Sequence, residues 1–387
     1  MRRRDRYGYH TYYGGGGPSP VIKVIVIVLA VVVLSLILTI WGLQRYMVYS
    51  SDGGKLVLPW SQQTDGSEGS AQPEEGAVTS EPDISDVVTS ESTTPQEPSV
   101  GEQAISAIRI TQEELLNGDV SALLEQRGAN GVVLEMKSAG GQLSYVSNLD
   151  LAPQLGTSAQ ATTDPTTGAQ TDPVAEAVQE LKNQGVYTIA YVDCFEDGTL
   201  GNLETYAILT NSGYRWKGPN NDIRWGSPTN ADVRNYLTGI VGELAQMGFD
   251  EILLDNAGYP TEGNLNYIRK GEAYDSTQFA TIIGNFYTQA AQAAANGGAK
   301  LSVITDQDII TSGSDSTNSQ LSGQTLENLA SLNRVWLELD PGADATELTR
   351  TLTEAGMNDR PLGVLTTALE TGKDYCQAVL TEQTPTQ

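Results

Sequence analysis

The stretch Met247-Gly-Phe-Asp-Glu-Ile-Leu-Leu-Asp-Asn-Ala-Gly-Tyr-Pro260 decides the fold. It reads as a helix end turning at Gly248, a short buried strand over 251–254, Asp255 where that strand runs out, and Pro260 closing the loop. An apolar strand ending in a carboxylate is how a parallel barrel presents reactive groups, because the C-terminal strand ends and the loops after them form its active face. A lone strand-end Asp can equally cap the next element. The rest of the chain therefore has to supply the other parts of such a barrel.

Working outward, short apolar runs alternate with helical patterns from about residue 104 onward. Strands are expected at 107–110, 131–137, 186–193, 301–305, 335–339 and 362–365, besides the one before Asp255. Helices are expected at 113–126, 173–183, 231–247, 276–295, 326–332, 345–355 and 373–380, the first opened by Thr111 with Glu114 three residues on. This alternation specifies a parallel sheet with helices outside. Seven strands are counted, so a (β/α)8 barrel of the TIM type needs one more, hidden or degenerate. A doubly wound sheet is the alternative, but no Gly-rich dinucleotide fingerprint follows the first strand.

Ahead of the barrel the composition changes. Residues 1–20 are basic, then Tyr- and Gly-rich, and are expected to be a disordered tail. The apolar run within 21–46 is long enough for a transmembrane helix, and Arg2, Arg3, Arg4, Arg6 and Lys23 before it outweigh Arg45 and Lys55 after it. The expectation is an uncleaved signal anchor with a cytoplasmic N-terminus and an extracellular C-terminal domain. Residues 47–103 are acidic and rich in Ser, Thr and Pro, which suits a disordered linker; the barrel spans 104–381, with a tail over 382–387.

Charge and residue usage exclude several chemistries. The net charge of -26 argues against nucleic acid as partner. The single histidine, His10, precedes the apolar segment, and two distant cysteines, Cys194 and Cys376, form no metal-ligand spacing. No cofactor or metal is expected; a Ser-His-Asp triad and a zinc site built on histidine are excluded, and a polysaccharide deacetylase-like hydrolase is disfavoured because its metal would want histidines.

The sequence resembles the bacterial family known as the putative glycoside hydrolases, whose barrel carries a strand of the type G-F-D-E-I-x-F-D-Y-I-R-F-P. Gly248-Phe-Asp-Glu-Ile-Leu-Leu-Asp255 matches the first half of that pattern. Gly131 to Lys137 with Gly141, Leu143 and Tyr145 looks like its early strand, and Gly185 to Ala190 with Phe195 and Asp197 like its next one. Trp225, Pro228 and Tyr236 resemble the loop and helix before the signature. Two arginines that the resemblance implies at the active face are replaced here by Gly258 and Tyr191.

Glycoside hydrolysis generally uses two carboxyl groups flanking the scissile bond. Asp255 is the candidate nucleophile or base, and strand-end acids that could partner it are Asp193, Asp306, Asp308, Glu338 and Asp340. Glu338 is the first choice and Asp306 the second. Trp216, Trp225 and Tyr259 lie on loops of the active face, where flat rings suit sugar faces. Lys137 and Asp193 are further substrate-binding candidates. The expected partner is a cell-envelope or environmental polysaccharide, and the alternative is an inactive glycan-binding or envelope-structural domain on the same barrel.

Overall fold

The computed structural model describes residues 47–50, 53–56 and, apart from 164–165 and 220–222, 104–381. The tail over 1–20 and the anchor over 21–46 lie outside the described residues. Among the described residues no helix is long and apolar enough to cross a membrane. A small antiparallel hairpin, Met47–Ser50 with Gly53–Leu56, belongs to a first compact unit that ends at Thr93. It occupies the start of the stretch expected as linker.

The second unit is a closed barrel of eight parallel strands in sequence order. These are β1 (Ser106–Ile110), β2 (Gly131–Lys137), β3 (Tyr187–Asp193), β4 (Glu251–Asp255), β5 (Lys300–Ile304), β6 (Arg334–Glu338), β7 (Leu362–Leu365) and β8 (Cys376–Val379). The seven expected strands are all present. The eighth corrects the reading of 373–380 as a helix: Cys376–Val379 pairs with β7 on one side and β1 on the other, closing the ring. Its polar residue, Gln377, is buried, and its amide exchanges two hydrogen bonds with the Glu370 backbone, at 2.8 and 2.9 Å. An amide satisfied in this way sits in a strand as readily as an apolar side chain. The helix expected over 113–126 is two, Gln112–Asn117 and Val120–Arg127, because Asp119 caps a fresh start through the Ala122 amide.

Alternate residues of each strand face opposite sides. Ile105, Ala107, Val133, Ile189, Leu253, Trp336, Cys376 and Ala378 fill the barrel interior. Val132, Val192, Ile252, Leu254, Val303, Val335 and Leu337 belong to the larger cluster that joins strands to helices. The strands thus read as continuous apolar runs because both faces are covered. Gly363 lies flat against the Trp336 indole, where any β-carbon would collide with the ring. Below that layer Glu251 forms a fully buried ion pair with Arg334. Trp336 Nε1 donates to Glu251 Oε1 at 2.7 Å and the Tyr187 hydroxyl to Oε2 at 2.9 Å. Both free cysteines, Cys194 and Cys376, are buried and do not pair.

Two helices flank β4: α1 (Ala231–Met247), capped by Asn230, and α2 (Phe279–Asn296). They pack side by side over the outer face of the sheet. α1 stops where Gly248 takes φ 107°, so the chain turns directly into β4.

Candidate active site

The mouth of the barrel is assembled from the ends of β3, β4 and β5. Asp193 and Asp255 are register partners on adjacent strands. Asp193 is buried, whereas Asp255 is partly exposed and lines a cleft of about 260 Å³. The Tyr191 hydroxyl donates to Asp255 Oδ2, and the Asn256 amide donates to Oδ1 at 2.7 Å. Asn256 holds φ at 46°, a left-handed conformation that Asn tolerates better than most residues. That turn aims its side-chain amide back into the mouth, where it donates to Asp193 Oδ1 at 3.1 Å and Glu196 Oε2 at 3.3 Å.

Burial raises the pKa of Asp255, while its hydrogen bonds from Tyr191 and Asn256 pull the other way. Asp193 is raised well above the ordinary 3.8, chiefly by burial, with Asp255 and Glu196 adding to the rise and Lys137 opposing it. A carboxyl raised in this way binds its proton more tightly folded than unfolded. Its stabilising contribution is present below 3.8 and is lost as pH rises through the raised value. Asp193→Asn, which keeps the oxygen facing Asn256, is therefore expected to be more stable than wild type at neutral pH, with the two denaturation curves converging in acid. A variant less stable than wild type at every pH would refute this.

Asp306 lines the same cleft as Asp255. It stands at the N-cap position of the short helix Gln307–Ser312 but makes no side-chain capping hydrogen bond there. Its pKa is raised by burial and by the neighbouring acids Asp308, Glu262 and Asp340. Glu338, placed first among the partners of Asp255 from sequence, is exposed and lines a different cleft, of about 340 Å³, with Leu365, Tyr375 and Gln377 on the β6 to β8 side. The structure brings Asp255 together with Asp306, not with Glu338.

The expected binding residues divide in the same way. Trp225 and Tyr259 line the Asp255 cleft, although Tyr259 stacks on Phe279 at 3.6 Å and is almost wholly buried. Trp216 does not reach the cleft: it is buried edge-on against Trp225 and donates through Nε1 to Asn264 O at 3.1 Å. Lys137 is wholly buried, so it cannot meet a substrate. It pairs with Asp197 at 2.7 Å and donates to the Asp193 carbonyl at 2.6 Å. Burial alone would lower its pKa, but Asp197 and Asp193 more than offset that, and the net direction is upward. Asp197 also accepts from the Thr199 and Leu200 amides at 2.7 Å each, so the pair pins the loop leaving β3.

Both positions where the resemblance implies arginine are accounted for. A β-carbon at Gly258 would lie 2.8 Å from the Ser322 carbonyl oxygen, so no larger residue fits there. Tyr191 instead supplies the hydrogen bond to Asp255, and the guanidinium of Arg109, 5.7 Å from its ring centre and ion-paired with Glu135 at 3.0 Å, stands behind it. Tyr191, Asn256 and Arg109 were not singled out as site residues from sequence; the signal for Asn256 was an Asn directly after a strand-end acid. No group of three or more His, Cys, Asp or Glu side chains arranged to hold a metal ion occurs among the described residues.

The eight-stranded parallel barrel thus carries three acids, Asp255, Glu262 and Asp306, along one cleft at its mouth. The model of the family described as "putative glycosyl hydrolase domain" matches residues 104–335, more than half of the 387-residue chain, and the chain belongs to that family. No curated protein matches the sequence. Among solved structures, a hypothetical protein from Ruminiclostridium thermocellum is 21% identical, with 51% of this chain and 96% of that one covered and a TM-score of 0.40. The glycoside hydrolase domain of PgaB (BpsB) from Bordetella bronchiseptica is 13% identical, with 68% and 84% covered and a TM-score of 0.39. Catalytic domain 2 of the Ostrinia furnacalis group II chitinase is 13% identical, with 68% and 64% covered and a TM-score of 0.35.

Proposed function

We propose that the protein is a membrane-anchored, extracytoplasmic glycoside hydrolase that cleaves a cell-envelope or environmental polysaccharide with Asp255 and Asp306. The carrying observation is that these two carboxyl groups line one cleft at the barrel mouth and are held in contrasting ways. Asp255 receives two hydrogen bonds that favour its ionised form, which suits a nucleophile or base. Asp306 has like charges around it and no capping bond, which favours the protonated form of a general acid. Asp193 and Asn256 act from behind as positioning residues.

Among the described residues the cleft is lined by Asp255, Glu262 and Asp306 and by no Lys, Arg or His. An anionic sugar at the scissile bond would meet uncompensated like charge, so the reacting unit is uncharged or cationic. The apolar run over 21–46 and the basic residues before it supply the anchor and its orientation in this reading.

Reducing-sugar release from a panel of envelope and plant polysaccharides tests the proposal. Turnover that disappears in Asp255→Asn supports it. Binding without turnover, unchanged in that variant, would instead identify a glycan-binding barrel, the reading favoured by the absence of arginine at 258 and 191.

A further inference from the structure

Four neighbouring strands each place a polar residue one step above the apolar interior of the barrel. Ala107, Val133, Ile189 and Leu253 face inward on β1 to β4. Strand residues two apart point the same way, so Arg109, Glu135, Tyr191 and Asp255 follow them as an arc at the mouth. Ile108 and Ile110, on either side of Arg109, belong to the outer cluster that faces the helices.

These four side chains make one run of contacts across the strands. Glu135 Oε1 pairs with Arg109 Nη2 at 3.0 Å, and Arg109 Nη1 donates to the Leu380 carbonyl at 3.5 Å. The Arg109 guanidinium carbon lies 5.7 Å from the centre of the Tyr191 ring, within reach of a cation–π contact. The Tyr191 hydroxyl in turn donates to Asp255 Oδ2. An ion pair that only tied β1 to β2 would have no reason to lie over the ring that serves Asp255.

Charge balance points the same way. Among the described residues, the last three positions of the eight strands carry the acids Glu135, Asp193, Asp255 and Glu338 and the bases Arg109 and Lys137. Lys137 is spent on Asp197 and the Asp193 carbonyl. Arg109 is the base that reaches the Asp255 side of the mouth, and it does so through Tyr191. Burial raises the Tyr191 pKa most, Asp255 and Asp193 raise it further, and Arg109 lowers it. A cation beside the ring makes its hydroxyl a stronger donor, and Asp255 is the acceptor.

We propose that Arg109 is a positioning residue for Asp255 that acts through Tyr191, fixing the ring whose hydroxyl keeps the carboxylate charged and in place. The consequence for turnover rests on the hydrolase reading above; the run of contacts does not.

Two measurements on the full-length protein in mild detergent test this. The first needs no substrate. Urea denaturation between about pH 4 and 8 compares the protein with its Asp255→Asn variant. Because burial raises the pKa of Asp255, its stabilising contribution is complete below 3.8 and is lost as pH rises through the folded value, so the difference between the two proteins steps there. Arg109→Met should move that step to higher pH by about half a unit or more, and Arg109→Lys should move it less. In Tyr191→Phe, Arg109→Met should move it no further. Arg109→Gln, which can still donate to the Leu380 carbonyl, takes the place of the methionine variant if that one does not fold.

The second measurement is turnover. Arg109→Met should lower kcat about three- to tenfold with little change in KM, and combined with Tyr191→Phe it should cost little beyond Tyr191→Phe alone. A step that stays in place in Arg109→Met, or that moves as far in Tyr191→Phe, would overturn the inference and leave the pair a tie between β1 and β2. Absence of turnover on every glycan would sink the hydrolase reading, while the denaturation step still decides this one.

Discussion

Asp255→Asn is expected to lower polysaccharide hydrolysis by roughly 10²- to 10⁴-fold without unfolding the barrel. The substituted amide can still accept from the Asn256 backbone N–H through its one oxygen, and the Tyr191 hydroxyl can turn to accept from the new Nδ2, so the local geometry has no reason to collapse. Asp306→Asn separates the two roles. A missing general acid matters most when the leaving group is poor, so this variant should lose turnover on polysaccharide but retain much of it on an aryl glycoside with an activated leaving group. The pH profile carries the same signature. With these roles, activity should rise with pH as Asp255 ionises and fall as Asp306 loses its proton, because the first acts ionised and the second protonated. In Asp306→Asn, assayed on the activated substrate, the alkaline limb should be absent. Persistence of that limb would assign it to another group and remove Asp306 from the mechanism.

Arg334→Met is expected to cost roughly 3–5 kcal/mol of stability, because it strands Glu251 ionised inside the barrel. Glu251 keeps its hydrogen bonds from Trp336 and Tyr187, and these do not compensate a full charge at a fully buried position. The double variant Glu251→Leu/Arg334→Met should recover most of the loss, since two apolar side chains need no pairing. Urea denaturation of the three proteins measures this directly. A single variant within about 1 kcal/mol of wild type would mean the pair behaves as a surface ion pair does.

The strand and helix alternation was legible in the sequence because every strand except the last is an apolar run bounded by turn residues. β8 was not. It is four residues long, and Tyr375 and Val379 are spaced as on a helix, while the pairing that makes it a strand comes from β1, at the other end of the domain. Asp255 and Asp306 were legible as strand-end acids. Glu338 illustrates the limit of that logic: it too ends a strand, but the loops after β6 and β7 wall it into a separate cleft. Loop aromatics were the least legible. Trp216 and Tyr259 sit in long polar loops that looked like exposed rims, yet those loops pack against each other and take the rings inside. Tyr214 and Tyr267 are left outside by the same packing, which no periodicity in the sequence records.

Closure of the ring by β8 also sets the order in which the domain can mature. Ala107 pairs with Ala378, so the first strand made waits for the last one before its second edge is satisfied. Until then β1 and β7 each present a row of unpaired amides and carbonyls, the feature that lets one chain template another. A nascent barrel emerging from the ribosome is consequently sticky along two edges at once, and its slowest contact is also its final one. The acidic surface then acts as a guard during synthesis: like charge keeps half-built copies apart until the seam is sewn.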